Sequence, residues 1–288
     1  MNGANITPEN GGYTCDGCGS WYPLRKSQCP HCLKWNSMIA VADAFKTDVT
    51  GLRKSRAIPV TRIEYDKSPR FSSGYETLDV VYGRGLPHGA ALLLGGDAGI
   101  GKSTITTQIV GKVCKLFPER DCIYISGEES EEQIKERAER LDCLLDNFIV
   151  LKSSECEDAV AEIVKRKPIL VICDSAQTIV CEDVEGIKGS PNQVKSVTQR
   201  LTDVCKSLQA TIFFICHITK DESIAGPKTI QHLVDIVTFA KKDVDALTVD
   251  DESVNPVRIT CETKNRYGAV GRFALFNMTE NGLVPRKA

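Results

Sequence analysis

Ala91-Leu92-Leu93-Leu94, followed by Gly96-Asp97-Ala98-Gly99-Ile100-Gly101-Lys102-Ser103-Thr104, is the stretch on which the reading of this chain turns. Its second part matches G-x-x-x-x-G-K-[ST] in full, and Ile105, Ile109, Val113 and Phe117 continue beyond it at helical spacing. An apolar strand, a glycine-rich turn and a helix in that order form a cradle in which backbone N–H groups face phosphate oxygens. The helix N-terminus adds its partial positive charge. Lys102 is then expected on the β- and γ-phosphates of ATP, and Ser103 on Mg²⁺. The bland alternative is a glycine-rich turn with a chance lysine, and the strand before and helix after it speak against that.

Such a cradle needs an acidic partner at the end of a neighbouring buried strand. Asp174, closing Ile169-Leu170-Val171-Ile172-Cys173, fits that Mg²⁺-holding role, although an Asp in this place can also be a plain turn former. A base for the attacking water is sought in Glu128-Glu129, just past the run Cys122–Ser126. Glu128 is favoured, with the second carboxylate left to complement a helix N-terminus.

The surroundings are consistent with an α/β fold. Short apolar runs at Ala90–Leu94, Cys122–Ile125, Ile169–Cys173, Thr211–Cys216 and Ile236–Ala240 do not alternate strictly, as expected of strands covered on both faces. Helical patterns lie between them. Ser130-Glu131-Glu132-Gln133 and Ser190-Pro191-Asn192-Gln193 both read as capping boxes, the second with Pro at the first helical position. Val194, Val197, Leu201, Val204 and Leu208 then recur as one buried stripe. Strands alternating with helices imply a mostly parallel sheet. Val257–Thr263 and Arg272–Met278 are expected to form a terminal hairpin around Arg266-Tyr267-Gly268.

Cys15-x-x-Cys18 and Cys29-x-x-Cys32 stand apart from the other nine cysteines, which are scattered between Cys114 and Cys261, several in apolar runs. Two such knuckles separated by ten residues imply a tetrahedral Cys₄ zinc site with no open position, hence structural; a redox pair is the rival. A segment this short cannot build a core of its own, so metal binding would supply its folding energy. The chain therefore divides into a zinc module at 1–40, a polar linker at 41–70 and an ATPase domain at 71–288.

Composition narrows the remaining possibilities. Hydrophobic content of 42% and charged content of 26% are ordinary for a globular protein. An odd total of 13 cysteines argues against a secreted disulfide framework. No apolar run approaches the roughly 20 residues that span a bilayer, and MNGANITPEN has no signal-peptide character, so a cytoplasmic protein is expected. With a net charge of −2, any nucleic-acid binding must come from local basic loops or from a ring that gathers them.

Taken together, these residues resemble the bacterial RadA/Sms family of RecA-superfamily ATPases along nearly the whole chain. The knuckle ending Cys32-Leu33-Lys34-Trp35-Asn36, GDAGIGKST, SGEES at 126–130, CDSAQT at 173–178, CHITKD at 216–221 and IAGPKTIQHLVD at 224–235 follow in family order. Lys264-Asn265-Arg266-Tyr267-Gly268 is close to the family's signature Lys-Asn-Arg-Phe-Gly, the tyrosine keeping the ring. The resemblance implies a RecA-like core and a hexameric ring. It also implies ATP-driven unwinding and branch migration on single-stranded or branched DNA, alongside a recombinase. It further implies that Lys264 and Arg266 act across a subunit boundary on nucleotide or contact DNA. His217 would sense the γ-phosphate, and Lys188, Lys220 and Lys228 would flank DNA-facing loops. Family members continue into a domain resembling the Lon protease, and this sequence, ending at Ala288, is expected to be a short form without it. The turn Tyr82-Gly83-Arg84-Gly85-Leu86 also departs from the family's glycine-rich pattern. A KaiC-like ring that regulates protein partners and a RecA-like filament that pairs strands are the alternative readings.

Overall fold

The computed structural model describes residues 13–15, 17–18, 20–22, 26–35, 37–40, 59–62, 69–217, 226–243 and 255–286. The chain falls into two compact units, 1–65 and 66–288. In the first, β1 (Tyr13–Cys15), β2 (Trp21–Tyr22) and β3 (Met38–Ala40) pair antiparallel in the order β2-β1-β3. Among its described residues the buried apolar cluster is Cys15, Cys29 and Met38, with Tyr13, Cys18 and Tyr22 packed against them. So small a cluster needs a further source of stability. Most of the stretch read as a linker, including Arg53, Lys54, Arg56 and Lys67, lies outside the described residues.

The second unit opens with β4 (Arg70–Phe71), α1 (Glu76–Val81) and β5 (Leu86–Pro87), then β6 (Ala91–Gly96) and α2 (Lys102–Leu116). The alternation continues through β7 (Cys122–Ser126), α3 (Glu131–Arg140), β8 (Phe148–Lys152), α4 (Cys156–Arg166), β9 (Leu170–Asp174) and α5 (Pro191–Ser207). It ends with β10 (Thr211–His217), α6 (Gly226–Leu233), β11 (Ile236–Lys242), β12 (Asn255–Asn265), β13 (Arg272–Thr279) and β14 (Gly282–Pro285). The large sheet runs β14-β13-β12-β11-β6-β10-β9-β7-β8. From β11 to β8 all pairs are parallel, while β12, β13 and β14 add antiparallel at the other edge.

β6, β7 and β9 are buried along their full length, which is why their sequences are near-continuous apolar runs. Alternate residues serve opposite cores. Leu92, Leu94, Tyr124 and Ile172 pack with Ile105, Ile109 and Val113 of α2, whereas Leu93, Ile123, Ile125 and Val171 pack with Ile163 of α4 and Val194, Val197 and Leu201 of α5. All thirteen cysteines are free thiols, and the nine beyond the knuckles are buried.

The two helix-start signals part ways. At Ser130 both halves of the capping box form. At Ser190 the helix starts as expected, but its side chain makes no capping bond. Gln193 turns away from the helix start and is only 2% exposed. Its amide accepts from Cys181 N–H at 2.8 Å and donates to the carbonyls of Cys181 and Val184 at 3.1 and 2.6 Å. The Cys181 N–H is buried and has no other partner among the described residues, so it takes the glutamine in preference to the exposed helix end. Sequence periodicity also passed over β8, a half-buried edge strand, and the six-residue α1.

Candidate functional site

β6 delivers the chain into a turn that only glycine can make. Gly101 sits at φ 95 as the residue before α2, and a Cβ there would meet Met278 Cε at 2.5 Å and Leu283 Cδ1 at 2.8 Å. A Cβ at Gly96 would meet the Ala240 carbonyl oxygen at 2.5 Å. The hairpin of β13 and β14 thus closes over the phosphate-binding turn, and Gln108 ties it down by accepting from Leu283 N–H at 2.9 Å. Asp97, Ala98 and Gly99 are exposed, and Ile100, Ser103 and Thr104 are half-buried around the N-terminus of α2. Lys102 is 3% exposed, and its Nζ donates to the carbonyls of Gly96 and Asp97 at 2.9 and 2.8 Å. Burial pulls its ammonium below the usual lysine range, with Asp174 acting in the opposite sense.

Ser103 Oγ donates to Asp174 Oδ2 at 2.8 Å, bringing the two expected Mg²⁺ ligands together from strands of sequence 71 residues apart. A serine hydroxyl beside a carboxylate is the hard oxygen donor set Mg²⁺ takes, with phosphate and water filling the rest of an octahedron. The same carboxylate oxygen accepts from the Tyr124 hydroxyl at 2.6 Å. Tyr124 is fully buried, so its hydroxyl is a fixed support for Asp174.

Behind Tyr124 stands Arg137, two turns into α3. Its guanidinium holds both oxygens of Glu129, at 2.6 and 2.7 Å, and donates to the Tyr124 hydroxyl at 3.3 Å and to Thr107 Oγ1 at 3.0 Å. One of the two neighbouring glutamates is therefore committed to a bidentate ion pair. Glu128 is exposed and forms no hydrogen bond or ion pair among the described residues.

His217 is the last residue of β10 and pairs with Gly96, which puts its backbone beside the start of the phosphate-binding turn. Lys188 is exposed in the turn before α5. Lys228 belongs to α6, and Lys220 lies outside the described residues. Lys264 and Arg266 sit at the other end of the sheet: Lys264 pairs with Val237, which in turn pairs with Leu93. Lys264 Nζ donates to the carbonyls of Gln231 and His232 at 2.9 and 3.1 Å, where a cation suits the C-terminus of α6. Burial lowers its pKa, and Arg266 adds to the shift. Arg266 pairs with the buried Asp235 at 2.8 Å, which also accepts from Ala91 N–H.

In the first unit, the Sγ atoms of Cys15, Cys18, Cys29 and Cys32 all lie within 4.8 Å of one another. The pairs Cys15–Cys32 and Cys18–Cys29 are 3.5 and 3.6 Å apart. A tetrahedron with zinc–sulfur bonds of about 2.3 Å has edges of roughly 3.8 Å, so the four thiols fit zinc.

With this geometry in hand, comparison with known proteins is decisive for the family. Residues 71–266 match the family described as "ATPase: KaiC". The chain belongs to that family. Its ATPase domain implies use of ATP with Mg²⁺. The chain is similar to proteins named DNA repair protein RadA: 37% identical to that of Aquifex aeolicus over 94% of this chain, and 34% to that of Treponema pallidum over 94%. It spans 58% and 57% of those two proteins. Among solved structures, a KaiC-like protein from Pyrococcus horikoshii superposes with a TM-score of 0.61 at 15% identity, covering 76% of this chain and all of that one. The expected RecA-like α/β fold with a mostly parallel sheet and the resemblance to RadA proteins thus both hold. Among the described residues no helix is long and apolar enough to cross a membrane.

Sequence reasoning missed three members of this KaiC-family site: Tyr124, Thr107 and Arg137. Tyr124 read as one more apolar residue of a buried strand. Arg137 is one charge among many in Glu131–Arg140, and nothing local marks it as inward-facing.

Proposed function

We propose that this chain is an ATP-driven motor of the RadA type, acting on single-stranded or branched DNA in recombination and repair as a hexameric ring. The observation that carries this reading is the position of Lys264. It stands three residues down β6 from Gly96, roughly 10 Å along the sheet, and two strands away, so its own nucleotide is out of reach. A cation so placed meets a triphosphate only if a second copy brings one to it. The DNA part of the reading is supported by the likeness to proteins named for DNA repair.

In the reaction, Glu128 accepts a proton from water as its oxygen bonds to the γ-phosphorus, and the bond to the bridging oxygen of ADP breaks. Lys102, in a buried cradle, stabilises charge on the transferred phosphoryl group, and the backbone N–H groups of residues 99–104 bind the phosphates. Ser103 and Asp174 would hold Mg²⁺, which neutralises charge on the phosphate oxygens when bound. Tyr124 and Arg137 keep Asp174 in place, and Arg137 keeps Glu129 from competing with Glu128 for the water. His217 senses the γ-phosphate beside Gly96 and passes that state to the segment that follows. Lys220 and Lys228 belong to that segment, and with Lys188 and Arg266 they contact DNA. The four cysteines hold a structural zinc.

A KaiC-like ring that regulates protein partners is the second reading, favoured by the family match itself. Stimulation of ATP hydrolysis by single-stranded DNA, with unwinding of a forked duplex, separates the two; an unstimulated rate would favour the protein-regulating ring. For Lys264, mixing Lys264→Ala with Glu128→Gln chains should restore part of the activity each lacks alone. No recovery in rings that native mass spectrometry finds mixed would exclude action in trans.

A further inference from the structure

Tyr82-Gly83-Arg84-Gly85, the turn that departs from the family pattern, borders a cleft. We propose that this cleft is a second phosphate-binding site, separate from the P-loop, that takes the backbone of single-stranded DNA. Its volume is 670 Å³, and Arg70, Val80, Arg84, Tyr267, Gly268 and Arg272 line it. Three arginines therefore line one cleft of a chain whose net charge is −2. No carboxylate lies within ion-pair distance of any of them among the described residues.

Arg70 donates through Nη2 to the Tyr267 carbonyl at 2.9 Å and stacks near its ring, with Cζ 5.9 Å from the centroid. Its Nη1 is buried and has no hydrogen-bond partner, a donor left for a ligand. Arg84 is exposed at φ 77, in a region of backbone space that side chains other than glycine seldom enter. Strain of this kind survives where the surroundings over-determine it, and it collects at binding sites. Arg272, exposed at the start of β13, lines the same cleft.

The close approach of the two walls comes from glycines. A Cβ at Gly268 would meet the Gly83 Cα at 3.0 Å, and one at Gly83 would meet the Tyr267 carbonyl oxygen at 2.8 Å. Guanidinium forks match phosphate oxygens bidentately. A half-buried tyrosine ring beside them offers a face on which a base can stack, and a basic groove with an aromatic face is how single strands are held without sequence preference. Apolar Val80, 45% exposed, continues that wall.

The inference rests on the DNA reading above and adds a contact at the sheet end away from the P-loop. The test compares the wild-type chain with Arg84→Gly/Arg272→Ala, binding labelled oligo-dT across a salt series without nucleotide. Losing two phosphate contacts should flatten the log–log salt slope by about 1.4, at about 0.7 per single-strand phosphate. Neither residue belongs to the ATP site, so DNA-free ATP hydrolysis should be unchanged. Inorganic triphosphate at matched charge serves as the competitor. If it displaces DNA from the wild type and not from the variant, the cleft takes free polyphosphate and the DNA assignment is overturned. An unchanged slope overturns the cleft while leaving the DNA reading intact; an unchanged slope with altered oligomeric mass makes the cleft a contact for an acidic surface of a second copy. Absence of wild-type binding at low salt overturns the DNA reading and this site with it.

Discussion

Replacing Glu128 and Glu129 one at a time by glutamine separates two carboxylates that are adjacent in sequence but have different physical tasks. Glu129 is held by both its oxygens on Arg137, whose side chain is 11% exposed, while Glu129 itself is 34% exposed. An exposed ion pair contributes about 0–1 kcal/mol, and breaking a fully buried one costs about 3–5 kcal/mol. With a third of Glu129 open to solvent, screening brings the expected loss for Glu129→Gln to about 1–2 kcal/mol. In a unit of this size that lowers Tm by about 2–8 °C, at about 2–4 °C per kcal/mol. Its hydrolysis rate should stay within about tenfold of wild type, because the neutral amide still bonds Arg137 through one oxygen. Glu128→Gln should do the reverse. The exposed side chain has no partner to lose among the described residues, so stability stays within about 0.5 kcal/mol. Removing a general base, however, should cut turnover by about 10²–10⁴ with ATP binding kept. Phosphate release and thermal melting on the same preparations read both effects. An inactive Glu129→Gln with unaltered Tm, alongside an active Glu128→Gln, would refute the assignment of roles and the reasoning from the Arg137 clasp.

Lys102→Ala should lower hydrolysis by about 10²–10³, and a near wild-type rate in steady-state assays would remove the P-loop lysine from the mechanism. Cys29→Ser combined with Cys32→Ser should abolish zinc binding by metal analysis, since two ligands cannot hold a tetrahedral site; stoichiometric zinc in the double variant would contradict it. Gln193→Ala should cost about 1–3 kcal/mol by leaving Cys181 N–H and the Val184 carbonyl without their partner, whereas Ser190→Ala should be nearly silent in a thermal melt because its hydroxyl makes no capping bond.

Much of the site could be read from local sequence, for a physical reason. A P-loop is one strand, one turn and one helix in succession, so residues 91–104 carry in consecutive positions everything that shapes it. The same locality applies to the Ser130 capping box and to the two cysteine knuckles, whose ligand spacing is imposed by a tight turn. Asp174 was legible because a charged residue closing a fully apolar run has few other uses. Wherever a side chain had to choose among partners distant in the chain, local pattern could not decide. Gln193 had the spacing of a cap and went to a buried loop. Arg137 had the look of a surface charge and went to Glu129 and Tyr124, because packing α3 against α2 turns it inward. Strand order decided the rest. Inserting β6 between β10 and β11 brings His217 and Ala240 level with Gly96, and the antiparallel return of β12 carries Lys264 to the far end of the sheet. Chain order does not contain those registers; they follow from which apolar faces bury one another, and that is settled only when the whole sheet is assembled.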